Sequence, residues 1–178
     1  MSESLNIEEN SLIAGCLKQD RQSQRLLYEK YKRYLYTTAF RIVNDREYAN
    51  DALQDGFIEI FRDIQNFRQQ SSLGTWMRTI VVRKALTYCK LDNKTEEYNP
   101  VIHDEAITWP DGLTGDYLDK AIHELPDGYR SVFLLIEVED YSHKEVAVML
   151  GIKEGTSKSQ LYHAKQILKV KLKELYER

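Results

Sequence analysis

The chain of 178 residues contains only 3 prolines and 8 glycines. So few backbone breakers argue against an all-β fold rich in tight turns and favour helices. Only two cysteines occur, Cys16 and Cys89. Two thiols make no disulfide framework, and their spacing fits no zinc motif. No run of about 18 apolar residues exists, so no direct insertion into a membrane is expected. The opening Met1-Ser-Glu-Ser-Leu5 lacks a basic stretch followed by an apolar core, so no signal peptide is expected either. A cytoplasmic protein follows as the expectation. His103, His123, His143 and His163 lie far apart, with no Cys or carboxylate at ligand spacing. No metal site and no cofactor is expected. Gly151 and Gly155 lack the Lys and strand of a phosphate loop, and no Ser-His-Asp or Cys-His motif appears. The sequence does not read as an enzyme.

What is present is a foldable composition with segregated charge. Hydrophobic residues make up 42% and charged residues 30%, too apolar for a disordered chain. The net charge of −3 conceals local extremes. Residues 21–93 carry 13 positive and 8 negative charges, whereas 94–118 carry one positive and six negative. Residues 119–152 are net −4 and 153–178 net +4. Local basic faces could therefore meet nucleic acid, although a pI near 5.9 argues against indiscriminate binding.

Two helical blocks flank a stretch without periodicity. Leu27, Tyr28, Tyr31, Leu35, Ala39, Ile42 and Val43 fall at helical spacing. After the polar break Asn44-Asp-Arg46, the residues Ala49, Ala52, Leu53, Phe57, Ile60, Phe61 and Ile64 form the clearest amphipathic pattern. A third helix starts near Ser72 and carries Trp76, Met77, Ile80, Val81, Ala85 and Tyr88. These predict a helical bundle within an N-terminal domain, residues 1–91. Residues 92–118, with two prolines, two glycines and the acidic excess, predict a linker. A second helical domain is expected over 119–178.

The second block carries the sharper pattern. Ser142-His-Lys-Glu145 spells a capping box, Val146, Ala147 and Leu150 follow on one face, and Gly151 ends the helix. Leu161, Ala164 and Leu168 mark a last helix shortly after. A capped short helix, a Gly turn and a second helix form the helix-turn-helix pattern. Thr156, Lys158, Ser159, Gln160 and His163 are read as the outward, base-reading face, with Lys165, Lys169, Lys171 and Lys173 near phosphates. A helical hairpin with a solvated lysine face is the plainer alternative.

On these residues the chain resembles RNA polymerase sigma factors of the small two-domain extracytoplasmic-function (ECF) type. The C-terminal likeness runs through Leu125-Pro126, Tyr129-Arg-Ser-Val-Phe-Leu-Leu135, Tyr141-Ser-His-Lys-Glu-Val-Ala147, Leu150-Gly-Ile152 and Gly155-Thr-Ser-Lys-Ser159. The N-terminal likeness is Leu27-Tyr-Glu-Lys-Tyr31, Arg46-Glu-Tyr-Ala-Asn-Asp51, Ala52-Leu-Gln-Asp55 and Thr75-Trp-Met77. The resemblance implies an all-α fold of two small helical domains joined by an acidic linker. It implies core RNA polymerase and promoter DNA as partners, with an inhibitory anti-sigma protein as a further one. Asp51, Gln54 and Asp55 would dock on the polymerase's largest subunit. Asn66, Phe67, Arg68, Ser71 and Ser72 would form a loop that captures a base extruded from the minus-ten element. Trp76, Arg78, Arg83 and Lys84 would continue that melting surface. Thr156, Lys158, Ser159, Gln160 and His163 would read the minus-thirty-five element.

The chain departs from the family pattern at several positions. Thr79 stands where an Arg is common, Arg83 where Asn is, and Gln160 and His163 where basic residues are usual. Gly56 replaces a β-branched residue inside a helix, at a cost of about 1 kcal/mol against Ala. Two rival functions fit the residues without the resemblance. One is a polymerase-independent helix-turn-helix regulator, dimeric on a palindrome. The other is a protein-interaction module that touches no DNA.

Overall fold

A computed structural model describes residues 2–89 and 115–176. Every regular element among the described residues is helical. The chain divides into two compact units, one ending at Tyr88 and the other starting at Cys89. Among the described residues no helix is long and apolar enough to cross a membrane.

The first unit holds α1 (Ser2–Leu17), α2 (Arg21–Val43), α3 (Arg46–Asp63) and α4 (Leu73–Tyr88), with a 3-10 turn at Ile64–Asn66. Asp20 starts α2 by accepting a bond from the Ser23 amide at 2.8 Å. Asn44 stops it in the left-handed region, φ 54°, where its short polar side chain is tolerated. The next residue, Asp45, caps α3 by accepting from the Glu47 and Tyr48 amides. Two adjacent polar residues thus end one long helix and begin another. The inner faces carry the expected residues: Leu27, Leu35 and Ile42 on α2, Ala52, Phe57 and Ile60 on α3, Met77, Val81 and Ala85 on α4. Each fully buried Leu or Ile contributes about 1.5–3 kcal/mol.

Close approach explains Gly56. A Cβ there would sit 2.6 Å from Val81 Cγ2, so α3 and α4 meet where only glycine fits. The helix-propensity cost is the local penalty of a tight helix–helix contact. Helix α1 departs from the expectation, which placed no helix before residue 26. It packs on α2 and buries Leu12 and Cys16. Gly15 lets it approach, since a Cβ there would collide with the Ser23 side chain.

The second unit holds α5 (Gly115–His123), α6 (Asp127–Phe133), α7 (His143–Leu150) and α8 (Glu154–Tyr176). Residues 115–118, expected in the linker, open α5 instead; residues 92–114 of that linker lie outside the described residues. Arg130 is buried, and its guanidinium donates to the Leu125 carbonyl and to Asp127. It ties the end of α5 to the start of α6. Helix α6 continues as a π-helical turn, Leu134–Val138, before the chain reverses through Asp140 at φ 58°. The capping box forms as expected: the Ser142 hydroxyl accepts from the Glu145 amide, and the Glu145 carboxylate accepts from the Ser142 amide at 2.8 Å. Gly151, at φ 67°, closes α7 with its amide on the Ala147 carbonyl. Ala164, Leu168 and Leu172 line the buried stripe of α8.

Candidate nucleic-acid interfaces

The loop of the first unit is held at both ends. Ile64 is buried, and the Phe67 amide closes the 3-10 turn on its carbonyl at 3.2 Å. At the other end Ser72 caps α4, its hydroxyl accepting from the Thr75 amide at 3.1 Å. Between them Asn66, Arg68 and Ser71 are exposed. Phe67 is half-buried, not a plug in the core. Its ring lies 5.3 Å from that of Trp76, tilted by 42°. Trp76 is also half-buried, so its helical spacing does not place it in the core. Two aromatic rings at the surface offer a face on which an unpaired base can stack.

The other expected melting residues divide. Arg83 lies seven residues after Trp76, two helical turns on, and is exposed on the same face. Arg78 lies about 200° round the helix from Trp76. It is half-buried, with a guanidinium nitrogen 3.5 Å from the Tyr34 hydroxyl of α2. Lys84 pairs with Glu59 of α3 at 2.6 Å. The structure therefore brings Phe67 and Trp76 together, leaves Asn66, Arg68 and Arg83 exposed, and turns Arg78 and Lys84 toward neighbouring helices.

On α3, Asp51 and Gln54 are exposed and Asp55 is half-buried. Asp55 accepts a bond from the Tyr88 hydroxyl at 2.8 Å, and Tyr88 stacks on Tyr48 with ring centres 5.8 Å apart. That hydrogen bond, then burial and the nearby carboxylates, push the Tyr88 phenol above its ordinary pKa. One turn after Gln54 and Asp55, Ile58 is 66% exposed. An acidic and amide face with a protruding isoleucine suits a basic partner that also offers an apolar notch.

In the second unit, α7 and α8 are joined at their first turns. His143 Nδ1 lies 2.9 Å from the Ser157 hydroxyl, and Ser157 is fully buried. The buried stripe of α8 continues backwards from Ala164 to Gln160 and Ser157. Gln160 is thus on the inner face, where its amide lies against Gly128 of α6. This corrects its assignment to the outward face. His163 is half-buried beside the Tyr129 ring, with centres 5.9 Å apart. Lys158 and Ser159 do face outward. Lys158 pairs with Glu154 at 2.7 Å on the surface, a contact that phosphate could displace at little cost. Thr156 is half-buried, and its carbonyl accepts from the Ser159 hydroxyl.

Comparison with known proteins agrees with this division. Residues 27–95 match the family profile described as Sigma-70 region 2, and residues 115–168 match Sigma-70, region 4. The ECF RNA polymerase sigma-E factor of Haemophilus influenzae is 24% identical, covering 95% of this chain and 97% of its own length. The RNA polymerase sigma factor SigV of Bacillus subtilis is 26% identical, covering 80% of this chain and 86% of its own. The chain belongs to the ECF sigma factors. It is a transcription initiation factor that gives RNA polymerase its promoter specificity. Two solved folds are similar, each with a TM-score of 0.53. One is CnrH in complex with the cytosolic domain of CnrY, 16% identical, covering 93% of this chain and 97% of that one. The other is the sigma factor RpoE in complex with the anti-sigma factor NepR from Bartonella quintana, 22% identical, covering 84% and 96%.

Two residues of this sigma factor's surfaces were not singled out by sequence reasoning. Ile58 looked like one more apolar residue in a run that includes the buried Ile60. Tyr162 lies on α8 three residues after Ser159, on the same side as Lys158 and Ser159. Extending the stripe Ala164, Leu168, Leu172 backwards in steps of four would have found the inward Gln160 and left the half-buried Tyr162 off that stripe.

Proposed function

We propose that the first unit docks on core RNA polymerase through Asp51, Gln54, Asp55 and Ile58 of α3. Its loop and α4 then open the minus-ten element. The Phe67–Trp76 pair receives the extruded base by stacking, while Arg68 and Arg83 hold the adjacent phosphates. In the second unit Thr156, Lys158, Ser159 and Tyr162 face the major groove of the minus-thirty-five element, and Gln160 and His163 fix the helix on its scaffold. The observation that carries this reading is the aromatic pair set at the surface beside exposed arginines. An anti-sigma protein is a further partner, by analogy with the solved complex of RpoE with NepR. The cytoplasm, where the polymerase works, is its place of action.

Transcription with purified components tests the proposal. Core enzyme plus this protein starts RNA at a discrete set of promoters, and thymines near minus ten become reactive to permanganate. Initiation that ignores promoter sequence, or an absence of core binding, rejects it.

A further inference from the structure

Helix α1 reaches both ends of the loop that carries Phe67. At the first end it packs against the 3-10 turn Ile64–Asn66. Within the loop, the Gln69 amide donates to Asn10 Oδ1 at 3.4 Å. Gln69 holds φ 56°, a left-handed conformation that a non-glycine residue adopts at a cost. At the second end the link is indirect. The Tyr31 hydroxyl donates to Glu9 Oε1 at 2.6 Å, and Lys30 Nζ lies 3.1 Å from the same oxygen. The Tyr31 ring backs onto Gly74, where a Cβ would stand 3.1 Å from Cε1. Gly74 is in the first turn of α4, two residues before Trp76. Burial pushes the Glu9 carboxyl up, but the Tyr31 hydroxyl and the Lys30 ammonium more than offset it, so Glu9 stays ionised at neutral pH and a strong acceptor.

We infer that α1 is a positioning element for promoter opening: Glu9, Tyr31 and Asn10 set the shape of the 67–72 loop and the start of α4, and so the pose of Phe67 against Trp76. The inference rests on the reading of that loop as the base-capturing element. None of the three residues touches DNA. They act by keeping the loop in the form that receives the base, so that the complex does not spend binding energy on ordering it.

The test uses the full chain with core polymerase on two templates, a duplex promoter and the same promoter already unpaired across the minus-ten element. Tyr31→Phe and Glu9→Ala each reduce permanganate-reactive open complexes on the duplex about fivefold, the equivalent of one hydrogen bond of about 1 kcal/mol. Core affinity and transcription from the unpaired template stay near wild type. Glu9→Gln keeps an acceptor for the Tyr31 hydroxyl and recovers most of the opening. Asn10→Ala and Gln69→Ala lower opening by less, and their double variant is no worse than either alone. Wild-type opening by both Tyr31→Phe and Glu9→Ala overturns the inference. So does an equal loss on both templates together with weakened core binding, which marks general damage to the bundle. Phe67→Ala/Trp76→Ala separates the two readings. If that variant fails to open the duplex while the α1 variants open it normally, only the role of α1 falls. If it opens the duplex normally, the loop reading falls and this inference goes with it.

Discussion

The two surfaces of this sigma factor proposed to meet DNA are built in opposite ways. In the first unit the reactive groups are large rings half-sunk in a loop and a helix start, and the loop is braced by capping, by the 3-10 turn and by α1. In the second unit the groups assigned to DNA are hydrogen-bonding side chains, Lys158 and Ser159 with the half-buried Thr156 and Tyr162, on a long helix whose inner stripe is buried. An unstacked base loses its neighbours, and only an aromatic or apolar face replaces them. A base edge in an intact groove needs hydrogen-bonding groups at fixed spacing, which a rigid helix supplies. On the proposed assignment, the paired rings of Phe67 and Trp76 suit an unstacked base, and the hydrogen-bonding groups of α8 suit base edges in an intact groove.

The stacking surface of the first unit is the most sensitive point. Trp76→Ala removes the ring against which Phe67 is set. Stacking is worth about 1–3 kcal/mol per base, so open complexes fall by roughly 5- to 150-fold. Core binding, measured by fluorescence anisotropy, stays unchanged because α3 is untouched. Trp76→Phe retains a ring and a good part of the activity. Equal loss of core affinity would show that Trp76 holds the fold instead.

The second half is sharpened by pairing an outward with an inward substitution on α8. Ser159→Ala together with Tyr162→Phe lowers discrimination among minus-thirty-five variants by about 1–2 kcal/mol with no change in melting temperature. Gln160→Ala does the reverse. The residue is 9% exposed and its amide rests against Gly128, so the second unit loses about 1 kcal/mol of stability while promoter preference holds. Promoter-library transcription and urea titration read the two effects separately.

Much of this architecture was legible in the sequence because apolar spacing and cap chemistry agree in α2, α3, α4 and α7. Asn44-Asp45 and Ser142–Gly151 act in the structure as their residue types predict. Helix α1 was hidden because Leu12, Ile13 and Ala14 run consecutively and show no helical period; Gly15 marks its close approach to Ser23. At the sites, residue type was a poorer guide than helical phase. Arg78 was grouped with Trp76 for its charge, yet two residues along a helix are about 200° apart. Gln160 and Ser157 were hidden for the opposite reason, as polar residues in a buried stripe.

Gly56 gives the next prediction, and it sets intrinsic propensity against packing. In an isolated helix Gly56→Ala gains about 1 kcal/mol. Here the new methyl would come within 2.6 Å of Val81 Cγ2, so the first unit is destabilised by about 1–3 kcal/mol of overpacking. Val81→Ala in the same chain relieves the clash, and the pair is less damaging than the sum of the single changes. Urea titration followed by tryptophan fluorescence measures both. A stabilised Gly56→Ala variant would mean that α3 and α4 separate easily at this point.

The smallest effect tests what the units share. Each has a helix start held by a carboxylate and a serine: Asp20 with Ser23 at α2, and Glu145 with Ser142 at α7. In each pair the serine hydroxyl, then the serine amide, holds the carboxyl below its ordinary pKa. A carboxyl that is more acidic in the folded state gives stability that is complete above its unfolded pKa and is lost as pH falls through the folded value. Both helix starts therefore weaken as pH drops below the usual carboxylate range, and neither responds between neutral pH and that point. Hydrogen exchange resolved by peptide shows faster exchange at the first turns of α2 and α7 under acid, after correction for intrinsic rates. Asp20→Asn removes the response only in α2 and Glu145→Gln only in α7. Both groups are fully exposed, so the response shrinks with added salt. A response that spreads from one cap to the other helix would show that the two units do not lose these first turns independently.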